Sequence, residues 1–169
     1  MTVLPRLTLV LGGARSGKSH HAELLVMQTP APWTYLATAE ALDEEMRERI
    51  AHHRNRRDAR WLTRDAPLDL PNVLAELSGP VLVDCLTLWL SNVMLAERDV
   101  DAESEKLLGA LAMAPGPVVA VSNEVGLGLV PETALGRAFR DAQGRLNQRI
   151  AAAADRVLFM AAGLPLSLK

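Results

Sequence analysis

Short runs that are apolar at nearly every position alternate along the chain with longer stretches whose apolar residues recur at helical spacing. The apolar runs fall at Leu7–Leu11, Trp33–Ala37, Val81–Asp84, Val118–Ser122 and Val157–Ala161. Runs of this length and kind predict strands buried on both faces of a parallel sheet. Helical spacing covers Lys18–Thr29, Asp43–Arg57, Leu86–Arg98, Asp101–Met113 and Thr133–Ala154. The alternation predicts an α/β fold, a mostly parallel sheet flanked by helices. A last apolar piece, Leu164–Leu168 after Gly163, predicts an antiparallel edge strand. Gly144 interrupts the last helix at a cost of about 1 kcal/mol relative to Ala, so close packing or a kink is expected there.

With 169 residues, of which 49% are hydrophobic and 22% charged, the chain can bury a core and is expected to form one catalytic domain over residues 1–169. Eighteen Lys and Arg against twenty Asp and Glu leave a net charge of −2, which gives no general field for a nucleic-acid backbone. Any anion site must be local. Lysine occurs only at positions 18, 106 and 169, so Lys18 stands out. The single cysteine, Cys85, sits in an apolar run and reads as a small buried side chain in a reducing cytoplasm rather than a redox centre. Pro5 and Arg6 break the first apolar stretch, and Pro115, Gly116 and Pro117 break the longest uncharged run, so neither a signal peptide nor a membrane span is expected.

Directly after the first predicted strand stands Gly12-Gly13-Ala14-Arg15-Ser16-Gly17-Lys18-Ser19, a full G-x-x-x-x-G-K-S phosphate loop followed by a helix. Its glycines let backbone N–H groups face a β-phosphate, and the helix adds the positive end of its dipole. Lys18 is placed to bridge β- and γ-phosphates and Ser19 to hold Mg²⁺. The chain is therefore expected to be a P-loop nucleotide-binding protein. Asp84 ends an apolar strand, the form of a second Mg²⁺ carboxylate; a strand-end or helix-capping Asp is the alternative. No Asn-Lys-x-Asp signature of a guanine-reading switch GTPase is present.

The stretch 43–57 begins acidic and ends basic, as a helix dipole favours. The dipole does not account for four Arg among Arg54–Arg60 behind the adjacent His52 and His53. On an unbroken helix Arg49, His53 and Arg57 share one stripe, from which His52 is rotated by about 100°. Nearby guanidinium groups keep an imidazole neutral and suit phosphate oxygens. Phosphate handling, a solvated face and a metal-ligating His all remain open on these residues alone.

Beyond the phosphate loop, the chain carries Tyr35-Leu36-Ala37-Thr38-Ala39, Asp43-Glu44-Glu45-Met46, Arg49-Ile50 with His53 and Arg57, Trp61, Asp84, Asn123-Glu124-Val125-Gly126, Phe139-Arg140-Asp141, Gly144-Arg145 and Asn147-Gln148. Taken together these resemble, nearly end to end, the bifunctional adenosylcobinamide kinase/adenosylcobinamide-phosphate guanylyltransferase family. The family pattern R-I-x-x-H-x-x-x-R-P-x-x-W has Pro where this chain has Asp58. Its T-x-E-x-P commonly has Glu where this chain has Asp65.

The resemblance implies a cytoplasmic enzyme of cobalamin assembly with Mg²⁺ as cofactor and GTP and ATP as substrates. It phosphorylates the aminopropanol hydroxyl of adenosylcobinamide, then passes GMP from GTP through a guanylyl-histidine to the new phosphate, giving adenosylcobinamide-GDP. By register the resemblance makes His53 the nucleophile beside catalytic Lys18, with His52 the runner-up. It also implies nucleotide contacts from Ala37, Thr38, Ala39, Arg54, Asn55, Arg56, Arg57, Asp65 and Asp84, metal contacts from Ser19 and Asp84, and a homo-oligomer, a trimer with sites between subunits. Asp65 otherwise reads as the start of a turn before Pro67. Arg137, Arg140, Arg145 and Arg149 read either as a solvated helix face or as contacts to corrin phosphate or propionamide groups. Two competing functions are a single-activity small-metabolite P-loop kinase and a non-catalytic nucleotide-dependent regulatory protein.

Overall fold

The computed structural model describes residues 3–40, 44–55 and 57–169, with backbone alone at positions 45, 49 and 52–54. Seven strands form one sheet: β1 (Leu7–Gly12), β2 (Trp33–Ala37), β3 (Trp61–Asp65), β4 (Val81–Asp84), β5 (Val118–Asn123), β6 (Arg156–Ala161) and β7 (Leu164–Ser167). Their order is β3-β2-β4-β5-β1-β6-β7. All neighbours are parallel except β6 and β7, which form an antiparallel hairpin at the edge. The helices are α1 (Lys18–Val26), α2 (Glu44–Asn55), α3 (Leu70–Ala75), α4 (Leu86–Leu95), α5 (Val100–Met113) and α6 (Ala134–Ala153).

Alternate side chains of the central strands feed two cores. Leu9, Leu11, Leu36, Val83 and Ala120 pack with Trp89, Leu107 and Ile150 from α4, α5 and α6. Val10, Tyr35, Leu82, Val119 and Val121 pack with Ala22, Leu25 and Val26 of α1 on the other face. Strands buried on both faces need apolar side chains throughout, which is why five of them were predicted from pattern. The antiparallel edge strand is also found as expected.

Four readings need correction. Leu70–Ala75 is a helix that the pattern did not predict. Trp61–Asp65 is a strand although the pattern did not predict one. Of its residues only Trp61 is buried, so the edge position leaves no apolar run to read. Helix α2 ends at Asn55, not Arg57. The Asp58 carboxylate accepts the Arg60 backbone N–H at 2.9 Å and the Asp58 carbonyl accepts Trp61 N–H at 3.1 Å, so a turn has replaced the helix by this point. Asp58 thus does a turn-forming job, as Pro would, at the position where the resembled pattern has Pro. At Gly144 an added Cβ would meet open space, so close packing does not explain the glycine.

Candidate active site

The carboxyl ends of the parallel strands line one edge of the sheet, the edge where ligands bind in α/β folds. In register, Gly12 of β1 lies opposite Asn123 of β5, and Ala37 of β2 lies opposite both Asp84 of β4 and Asp65 of β3. The phosphate loop therefore shares this edge with Asp84, Asp65, the 37–39 segment and Asn123. The Glu124 N–H donates to the Gly12 carbonyl at 3.0 Å, fastening the end of β5 to the start of the loop.

The loop is built by backbone freedom and close approach. A Cβ at Gly12 would lie 2.7 Å from both the Met160 carbonyl oxygen and Ser16 Oγ, so no larger residue fits. Gly17, with φ of 92°, turns the chain into α1 in a left-handed conformation that L side chains rarely adopt. The hairpin braces the loop from outside, Gly163 N–H donating to the Ser16 carbonyl at 3.0 Å. Lys18 is 7% exposed, and its ammonium donates to the Gly13 carbonyl and, at 3.4 Å, to Ser16 Oγ. Ala14 and Arg15 are exposed at the loop's outer turn, and Ser19 follows Lys18 in the first turn of α1.

Asp84 is half-buried, and its Oδ2 accepts the Tyr35 hydroxyl at 2.8 Å. Burial, then the Asp84 charge, hold the Tyr35 phenol far above its ordinary pKa, so it is a donor at any physiological pH. The Arg57 guanidinium lies 3.6 Å from the centroid of the same ring. Its Nε and Nη1 are buried without a hydrogen-bond partner among the described residues. A desolvated cationic donor with unmade bonds is costly, and an anion would satisfy it.

Thr38 is fully buried, and its hydroxyl donates to the Cys85 carbonyl at 2.6 Å while accepting Cys85 N–H at 2.8 Å. Its carbonyl accepts from Asn92 Nδ2 at 2.9 Å, and the Ala37 carbonyl accepts Ala66 N–H at 2.7 Å. This segment clasps β2 to the turn after Asp84, and its next residue, Ala39, is half-buried. Cys85 is buried; burial pushes its thiol up to about 11, and its sulfur accepts Leu88 N–H at 3.4 Å as a helix cap. Asp65 is exposed at the end of the edge strand β3.

Helix α2 carries the His and Arg run. The side chains of Arg49, His52, His53 and Arg54, and all of Arg56, lie outside the described residues; Asn55 is exposed as the last residue of the helix. Because Arg57 follows the helix, it cannot complete the expected stripe with Arg49 and His53; it reaches the site across Tyr35 instead. On α6, Arg137 donates to the carbonyls of Pro131 and Glu132, and Arg149 pairs with Glu105 and Asp101 of α5. Those two arginines fasten elements together.

Among the described residues no group of three or more His, Cys, Asp or Glu is assembled to hold a metal. A hydroxyl and a carboxylate are hard oxygen donors of the kind Mg²⁺ takes. Ser19 and Asp84 are the residues present for that role. Sequence reading missed Tyr35 as a site residue, quoting it only within a motif. No local signal places it beside Asp84, because the contact requires knowing that β2 and β4 are neighbours.

The family model described as cobinamide kinase / cobinamide phosphate guanyltransferase matches residues 8–168. The "bifunctional adenosylcobalamin biosynthesis protein CobP" of Pseudomonas aeruginosa is 49% identical over 166 residues, covering 95% of this chain and 96% of that protein. The "bifunctional adenosylcobalamin biosynthesis protein CobU" of Salmonella typhimurium is 41% identical, covering 95% and 98%. Among solved structures the RadB recombinase superimposes with a TM-score of 0.55 at 17% identity, covering 92% of this chain and 74% of that one, a likeness of fold alone. With its phosphate loop, strand-end carboxylate and histidine-bearing helix all inside the matched span, the chain belongs to the cobinamide kinase / cobinamide phosphate guanyltransferase family.

Proposed function

We propose that this chain is one catalytic domain with two activities at the carboxyl edge of its sheet. In the first, the aminopropanol hydroxyl of adenosylcobinamide attacks the γ-phosphorus of ATP or GTP, and the bond to the β-phosphate oxygen breaks. In the second, a His53 ring nitrogen attacks the α-phosphorus of GTP, pyrophosphate leaves, and an oxygen of the corrinoid phosphate then displaces His53 to give adenosylcobinamide-GDP. The loop 12–19 holds the triphosphate, with Lys18 neutralising charge between its terminal phosphates. Ser19 and Asp84 would hold Mg²⁺, which supplies charge neutralisation on the phosphate oxygens. Ala39, half-buried at the sheet edge, lines the nucleotide with Ala37 and the fully buried Thr38 supporting it from behind, and Asp65 accepts N–H donors of guanine. Arg54, Asn55, Arg56 and Arg57 clamp the transferring phosphate.

Arg57 carries the reading: its buried Nε and Nη1 lack partners among the described residues, beside the Tyr35 hydroxyl that donates to the proposed Mg²⁺ carboxylate. Charge-assisted hydrogen bonds to phosphate would supply the missing partners. The proposal includes a cytoplasmic homo-oligomer, a trimer with sites between subunits. The apolar loop residues Leu127, Leu129 and Val130, exposed at 81%, 97% and 69%, supply surface of the kind that subunits cover.

The test is to supply adenosylcobinamide with Mg²⁺ and ATP or GTP and resolve the corrinoid products by mass. The expected result is the phosphate with either triphosphate and the GDP derivative when GTP is present. Formation of the phosphate alone would leave a single-activity kinase. Nucleotide hydrolysis with the corrinoid unchanged would overturn both activities.

A further inference from the structure

We propose that Tyr35 is a positioning residue for both halves of this chemistry: its hydroxyl orients the Asp84 carboxylate, and its ring holds the Arg57 guanidinium. The proposal rests on the reading of Asp84 as a Mg²⁺ carboxylate and of Arg57 as a phosphate-binding cation.

Tyr35 lies opposite Leu82 in the β2–β4 register, two residues short of the Ala37–Asp84 pair and therefore on the same face as Asp84. Its side chain leans diagonally across the ladder, and the 2.8 Å bond to Oδ2 is the result. A carboxylate only accepts, so the phenol is the donor. One lone pair of Oδ2 is thereby used, and Oδ1 is left for a cation. The ring is 5% exposed and is met edge-on by Trp61 at 6.3 Å and 77°, so the hydroxyl has a fixed origin.

The Arg57 guanidinium stacks on the same ring, 3.6 Å from its centroid. No hydrogen bond from Nε or Nη1 to the described residues competes with it. Stacking on the ring uses none of the guanidinium's in-plane N–H groups, whereas an ion pair with protein would consume them. Arg57 follows the end of α2, so the helix backbone does not set the guanidinium's position. If Tyr35 were merely a core residue, its hydroxyl would have no bearing on metal or nucleotide.

Tyr35→Phe keeps the ring and removes the hydroxyl; Tyr35→Leu removes both. The measurement is equilibrium binding of a fluorescently labelled, non-hydrolysable GTP analogue at graded Mg²⁺, made on wild type, Tyr35→Phe, Asp84→Asn and the double variant. Expected for Tyr35→Phe is a Mg²⁺ concentration for half-maximal binding raised about tenfold, the scale of one hydrogen bond to a charged group, with binding in EDTA unchanged. The double variant should match Asp84→Asn alone. Tyr35→Leu should also weaken binding in EDTA by roughly tenfold, because Arg57 has lost its platform. If Asp84→Asn shifts the Mg²⁺ dependence and Tyr35→Phe does not, Asp84 keeps its role and the Tyr35 proposal is wrong. If Asp84→Asn shifts nothing, the metal reading of Asp84 fails and this proposal with it. Circular dichroism establishes that each variant is folded; Tyr35→Phe decides the hydroxyl's role even where Tyr35→Leu does not fold, and unchanged binding in EDTA by folded Tyr35→Leu would overturn the ring's role.

Discussion

Lys18 shows how the loop prepares for charge. A lysine is seldom this buried, and here two loop oxygens solvate the ammonium in place of water. Both proposed reactions use the same triphosphate anchor, so Lys18→Ala should lower corrinoid phosphorylation and GMP transfer alike, by at least about a hundredfold each. Thermal melting should be little changed, since the variant also removes the cost of burying a charge. Measuring the two rates separately checks this; a wild-type rate in either would take Lys18 out of that reaction. At this scale the loop was legible because its chemistry is contiguous, Gly12 to Ser19. The Tyr35 role was not, because it is assembled from three segments that only the strand order brings together.

At the scale of elements, the clasp between β2 and the turn after β4 matters most. Thr38 makes two hydrogen bonds to the Cys85 peptide with no exposure to solvent. Thr38→Val keeps shape and strands two buried backbone groups, so it should cost about 2–4 kcal/mol in urea unfolding. A residue that only contacted nucleotide would instead raise KM at unchanged stability, and that outcome would contradict the clasp. The elements missed by pattern are the ones with least to bury. Edge strand β3 shows an exposed Leu62 and an Arg64 paired to Glu76 at 3.0 Å, and α3 has only six residues with Pro in its first turn. The basic run that suggested helix through Arg57 is cut by Asp58, whose side chain competes for backbone N–H groups.

Over the whole molecule, a strand order that separates β1 from β4 by β5 gathers the loop, Asp84 and the start of Glu124 along one edge, while the C-terminal hairpin supports the loop from β1's other side. The fold class and the phosphate loop could be read from pattern because periodicity and a local motif encode them. The histidine's role could not, because it depends on which side chains from α2 meet the nucleotide. Covalent labelling reads that role on the protein itself. The protein is incubated with Mg²⁺ and GTP labelled at the α-phosphate, and the labelled peptide is mapped in wild type, His53→Ala and His52→Ala. An acid-labile, comparatively alkali-stable GMP adduct is expected on His53, retained in His52→Ala and lost in His53→Ala, which keeps substantial kinase activity. Label on His52, label persisting in His53→Ala, or no adduct in wild type under turnover conditions would contradict it.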